Sequence, residues 1–136
     1  MAKLYRSREG EATAVDTKTQ LTTLGSETAP GPLLVPANST TLSGVWVGAC
    51  SNFAVTGSAN AIVRLEGAGL QGGPETEAVG AFGVTIATGG QAAVNSKYIP
   101  LNVPVTPTNE ILIFGEMTGA DIGQINFGVT LVFEAG

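Results

Sequence analysis

Few residues in this chain are equipped for chemistry, and the missing types exclude more than the present ones suggest. There is no histidine, which removes the imidazole base of a Ser-His-acid triad and the commonest zinc ligand. Cys50 is the single cysteine, so neither a thiolate zinc cluster nor an intrachain disulfide can form. Set in an apolar run, it reads as a small buried hydrophobe. Any acid–base or hard-metal chemistry must therefore come from carboxylates. Glu75 and Glu77 lie two apart in or beside a glycine-rich loop, and Glu110, Glu116 and Asp121 follow without EF-hand spacing; they read as solubilising charge. Glu66 and Glu116 are the candidates for a glycosidase-type carboxylate pair, but nothing in their spacing brings them together. GAGLQGGP at residues 67–74 lacks the GK[ST] ending and following helix of a phosphate loop, so it reads as a turn. The expectation is a chain with no catalytic centre, no metal and no cofactor.

Binding chemistry is almost as sparse. Trp46, with Asn52 and Asn60, is the only visible material for a polar–aromatic sugar patch. Lys3, Arg6 and Arg8 supply three of the six basic residues, interrupted by Glu9 and Glu11, and are the candidate contacts of an N-terminal arm. The remaining balance is acidic, with 11 acidic residues and a formal charge of -5. This disfavours nucleic-acid binding anywhere except that arm, because such binding depends on neutralising phosphates. The five phenylalanines are placed as core residues rather than as stacking platforms interleaved with cations. Asn38-Ser39-Thr40 has the glycosylation pattern, but without an apolar signal segment after Met1-Ala2-Lys3 it reads as a turn.

The elements that would position these residues are strands. At 136 residues, 43% hydrophobic, with 19 Gly and 7 Pro, the chain fits one domain of short strands and turns. Residues 1–29 are polar and threonine-rich. They read as an extended arm with one short strand around residues 19–24, ordered against a neighbouring subunit and dispensable for folding. From residue 30 to 136 the strand signals repeat, at residues 33–35, 40–49, 59–66, 78–88, 98–103, 110–118 and 125–134. Prolines at 100, 104 and 107 confine the fifth of these to an edge, and Gly89-Gly90 marks a turn. No stretch carries a sustained helical period. The fold expected is all-β, an antiparallel β-sandwich of jelly-roll-like topology with an extended N-terminal arm.

Several strands are apolar on both faces, and from residue 28 to 63 no side chain is charged. In EILIFGEMT, Ile111, Ile113 and Met117 alternate with Leu112 and Phe114, and either set can face the core. A two-layer sandwich needs only one covered face per sheet. Covering the other with identical subunits resolves the excess, which makes Trp46, Leu112, Ile113, Phe114 and Val132 candidate interface residues.

Taken whole, the threonine-rich arm, PGPLLVPANSTTLSGV, EILIFGEMTGAD and INFGVTLVFEAG make the chain resemble the small β-sandwich structural proteins of viruses and phages, capsid jelly rolls or shell-decorating proteins. That resemblance implies a capsid or decoration subunit in the virion, partnered by copies of itself and other shell proteins, with no membrane contact and no catalytic residues. The alternatives are a carbohydrate- or ligand-binding β-sandwich module and a trimeric fibre domain.

Overall fold

The computed structural model describes residues 3–22, 31–50, 57–71, 75–86, 95–119 and 123–135, with the backbone alone at residues 50, 57–59, 75–86 and 95–97. Among the described residues nine strands follow in order: β1 (Lys3–Ala12), β2 (Thr19–Gln20), β3 (Leu33–Leu34), β4 (Ser39–Cys50), β5 (Gly57–Glu66), β6 (Glu75–Ile86), β7 (Asn95–Pro104), β8 (Glu110–Thr118) and β9 (Ile125–Ala135). They form two antiparallel sheets, β1-β9-β4-β7 and β2-β8-β5-β6, with β3 also paired to β8. No helix occurs among the described residues, and none long and apolar enough to cross a membrane. This is the all-β, jelly-roll-like sandwich that the period-two patterns call for.

The core lies between the sheets and follows alternation strand by strand. Ile125, Phe127, Val129, Leu131 and Phe133 of β9 face Ala61, Val63 and Leu65 of β5 and Ile111, Ile113 and Met117 of β8, all buried. Burying each large side chain is worth about 1.5–3 kcal/mol. In β4 both Leu42 and Val45 are buried, which strict alternation forbids. A register shift between Leu42 and Gly44 inserts one extra residue and restores the phase. The Ser43 hydroxyl there donates to the Val132 carbonyl at 3.1 Å.

Three expectations are corrected. Residues 3–12 are not an arm ordered against a neighbouring subunit but β1, paired residue for residue within the same chain along the outer edge of β9, from Lys3–Glu134 to Ala12–Ile125. Its composition hides this, because an edge strand needs few apolar anchors when the neighbouring strand supplies the hydrogen bonds. Leu4 and Ala12 still pack on the core. Ile113, named as an interface residue, is 1% exposed and lies in the core. β6 begins at Glu75, ahead of the strand start read at residue 78, and so takes in Glu75 and Glu77, while Leu70 makes an isolated bridge to Val105. Gly89-Gly90 lies outside the described residues.

Sheet edges are guarded in different ways. On β1, Arg6 and Arg8 occupy the inward register, where charge blocks a further strand. β7 carries Pro100 and Pro104 and, among the described residues, pairs with β4 alone.

Candidate functional site

The outer face of β1-β9-β4-β7 gathers the exposed aromatic surface. The register aligns rows across the four strands. The first row is Tyr5–Val132–Gly44–Pro100 and the second Ser7–Thr130–Trp46–Tyr98. The third is Glu9–Gly128–Gly48–Ser96, and a fourth holds Glu11, Asn126 and Cys50. Trp46 is 50% exposed, Tyr98 36% and Tyr5 55%. The Trp46 and Tyr98 rings meet with centroids 4.8 Å apart, tilted by 47°, within the range of favourable aromatic pairs.

Each ring is held from below. Gly44 carries no side chain because the Tyr98 phenol lies where its Cβ would project, and the Tyr98 hydroxyl donates to the Ser43 carbonyl at 3.3 Å. The bulge at residues 42–44 thus seats Tyr98, and Tyr98 buttresses Trp46. In the adjoining row, the Ser7 and Thr130 hydroxyls share a hydrogen bond of 2.7 Å. Gly128 and Gly48 follow, and among the described residues an added Cβ would meet nothing within 4 Å at the first and only the Gly128 carbonyl oxygen, at 3.7 Å, at the second. Beyond them, the Gln124 amide donates to Glu11 and to Asn126 Oδ1. The result is a bare trough between an aromatic wall and a row of acid and amide groups.

Val132, expected at an interface, does face outward, yet it is only 2% exposed and is covered within the chain. Leu112 and Phe114 lie on the outer face of the other sheet, half-buried. That face is largely satisfied by its own charges. Lys18 sits over the Phe114 ring at 4.6 Å and pairs with Glu66, while Arg64 binds Glu116 at 2.8 Å. The row of Arg64 and Phe114 separates Glu66 from Glu116, so these two carboxylates do not converge. Asn60 belongs to this sheet, on the opposite side of the sandwich from Trp46, and Asn52 and Asp121 lie outside the described residues. The sugar patch therefore keeps only Trp46 of its expected members. Tyr98 and the glycine pair were missed because their neighbourhood depends on register, although Trp46 and Tyr98 alike stand at positions that alternation turns away from the core.

The N-terminal cations form no common surface. Lys3 holds the outer register opposite Glu134, whereas Arg6 and Arg8 hold the inner one. Arg8 donates to the carbonyls of Gly31 at 2.9 Å and Ser7 at 2.7 Å, and Arg6 to that of Tyr5 at 3.0 Å. Among the described residues, no group of three or more His, Cys, Asp or Glu is placed to hold a metal ion.

No family model matches the chain, and no curated protein matches it. Solved structures resemble it at low identity. PorU from Porphyromonas gingivalis, a dimeric latent form, superposes with a TM-score of 0.54 at 9% identity over 98% of this chain, which spans only 13% of PorU. The CBM36-1 domain of a multidomain xylanase from the hindgut metagenome of Trinervitermes trinervoides gives 0.43 at 13% identity, covering 98% of both chains. A cyanophage Pam1 capsid chain gives 0.45 at 13% identity over 98% of this chain and 85% of its own. The capsid chain is thus one among several low-identity matches.

Proposed function

We propose that this chain is a non-catalytic binding module that engages carbohydrate through the outer face of β1-β9-β4-β7. The observation that carries it is the exposed Trp46–Tyr98 pair, seated from below and bordered by hydroxyl, amide and carboxylate groups. A pyranose offers an apolar C–H face to an aromatic ring and hydroxyls at its rim, which this combination satisfies. A buried Trp covers roughly 200 Å², so a half-exposed one leaves about 100 Å² for a ligand. At ~25 cal/mol/Å² that contact is worth about 2.5 kcal/mol, or roughly fifty-fold in affinity. Affinity electrophoresis against a panel of soluble polysaccharides tests the reading. Retardation by at least one polysaccharide, lost in Trp46→Ala with the fold retained, supports it; unchanged retardation in that variant overturns it.

A second reading, a structural subunit of a virus or phage particle or a trimeric fibre domain, is favoured by one edge. β6 runs for 12 residues, its sequence ETEAVGAFGVTI has no proline, lysine or arginine, and among the described residues only β5 pairs with it. The other edges carry inward arginines or prolines, or belong to two-residue strands. An unguarded edge accepts another strand. Glu75 and Glu77 sit at one end of β6, so an antiparallel copy sets them against the uncharged end. On this reading the partners are copies of the chain and other shell proteins, and its place is the virion. Sedimentation showing only monomer at every concentration overturns it; oligomers dispersed by Val79→Lys support it.

A further inference from the structure

We infer that Tyr5 is a second stacking platform beside Trp46, and that the ligand is an extended β-1,4-linked chain crossing β1, β9 and β4. This rests on the carbohydrate reading above. Among the described residues four large apolar side chains stand exposed, and three of them, Tyr5 at 55%, Trp46 at 50% and Tyr98 at 36%, share the outer face of one sheet. The fourth, Leu34, belongs to β3 on the other sheet. The exposed parts of the three rings make up roughly 300 Å² of aromatic surface. A stable contact between two proteins takes about 800 Å² from each partner, so a second copy of the chain would need far more than this patch supplies. A few pyranose rings lying flat cover it, because each offers an apolar C–H face of about the size of one aromatic ring.

Register sets the spacing of the two platforms. Tyr5 stands on β1 in the row of Val132 and Gly44, and Trp46 stands on β4 one row further along, level with Ser7 and Thr130. Two strand separations sideways and one row along place their α-carbons about 12 Å apart. That is close to the reach from one sugar ring to the next but one in an extended chain. Successive rings of a β-1,4-linked chain are turned over, so alternate rings present the same face, one to Tyr5 and one to Trp46. The ring between them passes over Thr130 and Val132. There the Ser7 and Thr130 hydroxyls are joined at 2.7 Å and Val132 is covered, so the floor is filled and offers hydroxyl oxygens to the middle sugar. Tyr98, its ring centroid 4.8 Å from that of Trp46, carries the platform on past β4. An α-1,4-linked chain coils, and its alternate rings do not lie flat on one plane.

Trp46 is the only tryptophan, so its fluorescence follows binding on this face. The probes are the disaccharides and hexasaccharides of β-1,4-linked glucose, xylose and mannose, with α-1,4-linked glucose of the same two lengths as the coiled control. For at least one β-linked sugar, the hexasaccharide should bind about tenfold more tightly than the disaccharide, as covering a half-exposed ring requires. The coiled control should gain less than about threefold. Tyr5→Ala should remove the advantage and leave the affinity of the disaccharide within about twofold, whereas Tyr5→Phe should keep both. Tyr5→Thr gives the same comparison should alanine lower the melting temperature. An advantage retained without the Tyr5 ring, a loss shared equally by disaccharide and hexasaccharide, or a Tyr5→Phe variant that behaves like alanine overturns the second platform. An equal advantage for the coiled hexasaccharide overturns the linkage. No response to any β-linked probe overturns both, while retardation by another polysaccharide that depends on Trp46 would still support the carbohydrate reading.

Discussion

Replacing Gly115 by alanine should destabilise the fold, whereas the same replacement at Gly128 should stabilise it. Gly115 faces the core from β8, and an added Cβ would stand 2.6 and 2.7 Å from two ring carbons of Phe127 and 3.1 Å from a third. Carbon atoms rest at about 3.5–4.0 Å, so the ring must retreat by roughly 1 Å. Phe127 is 3% exposed and packed within the core, which leaves it nowhere to go cheaply. Overpacking of this kind costs about 1–3 kcal/mol, and removing a strand glycine returns about 0.5–1 kcal/mol. The net expected loss at Gly115 is about 0.5–2 kcal/mol. At Gly128 no clash opposes the gain, so Ala should raise stability by about 0.5–1 kcal/mol. Urea denaturation followed by circular dichroism reads both, with an m-value of about 1–3 kcal/mol/M converting midpoints to free energies. Equal midpoints for the two variants, or a more stable Gly115→Ala, would refute the facing of β8 toward Phe127.

Three further outcomes test the same structure. Ile113→Asp should unfold the domain, because an unpaired buried charge costs several kcal/mol, while Phe114→Asp, one residue on and half-buried under Lys18, should remain folded by circular dichroism. Thr108 holds a left-handed backbone with φ of 67°, which a β-branched residue tolerates poorly; Thr108→Asn should raise the thermal midpoint by about 1 kcal/mol equivalent. Deleting residues 1–12 should lower stability markedly or abolish folding, since it strips a ten-residue strand from β9; an unchanged urea midpoint would contradict the placement of β1.

The positions of most strands follow from local sequence. β8 (Glu110–Thr118) was legible end to end, because a run of alternating large residues between polar turns has one stable conformation. β9 was legible for the same reason, with its aromatic and aliphatic face at Phe127, Val129, Leu131 and Phe133. β1 was not. KLYRSREGEA has no apolar alternation to announce it, and its strand state comes from hydrogen bonds to a partner more than a hundred residues away. The facing of β8 was equally hidden, since Ile113 and Phe114 are both apolar. Only the neighbours decided it, with Gly115 admitting the Phe127 ring on one side and Lys18 covering Phe114 on the other. The candidate site is likewise a product of register. Alternation along β4 turns Trp46 outward, but its neighbours Tyr98, Thr130 and the bare pair Gly48–Gly128 arrive from β7, β4 and β9. Period two sets which residues leave a sheet together, and pairing across strands sets which of them meet.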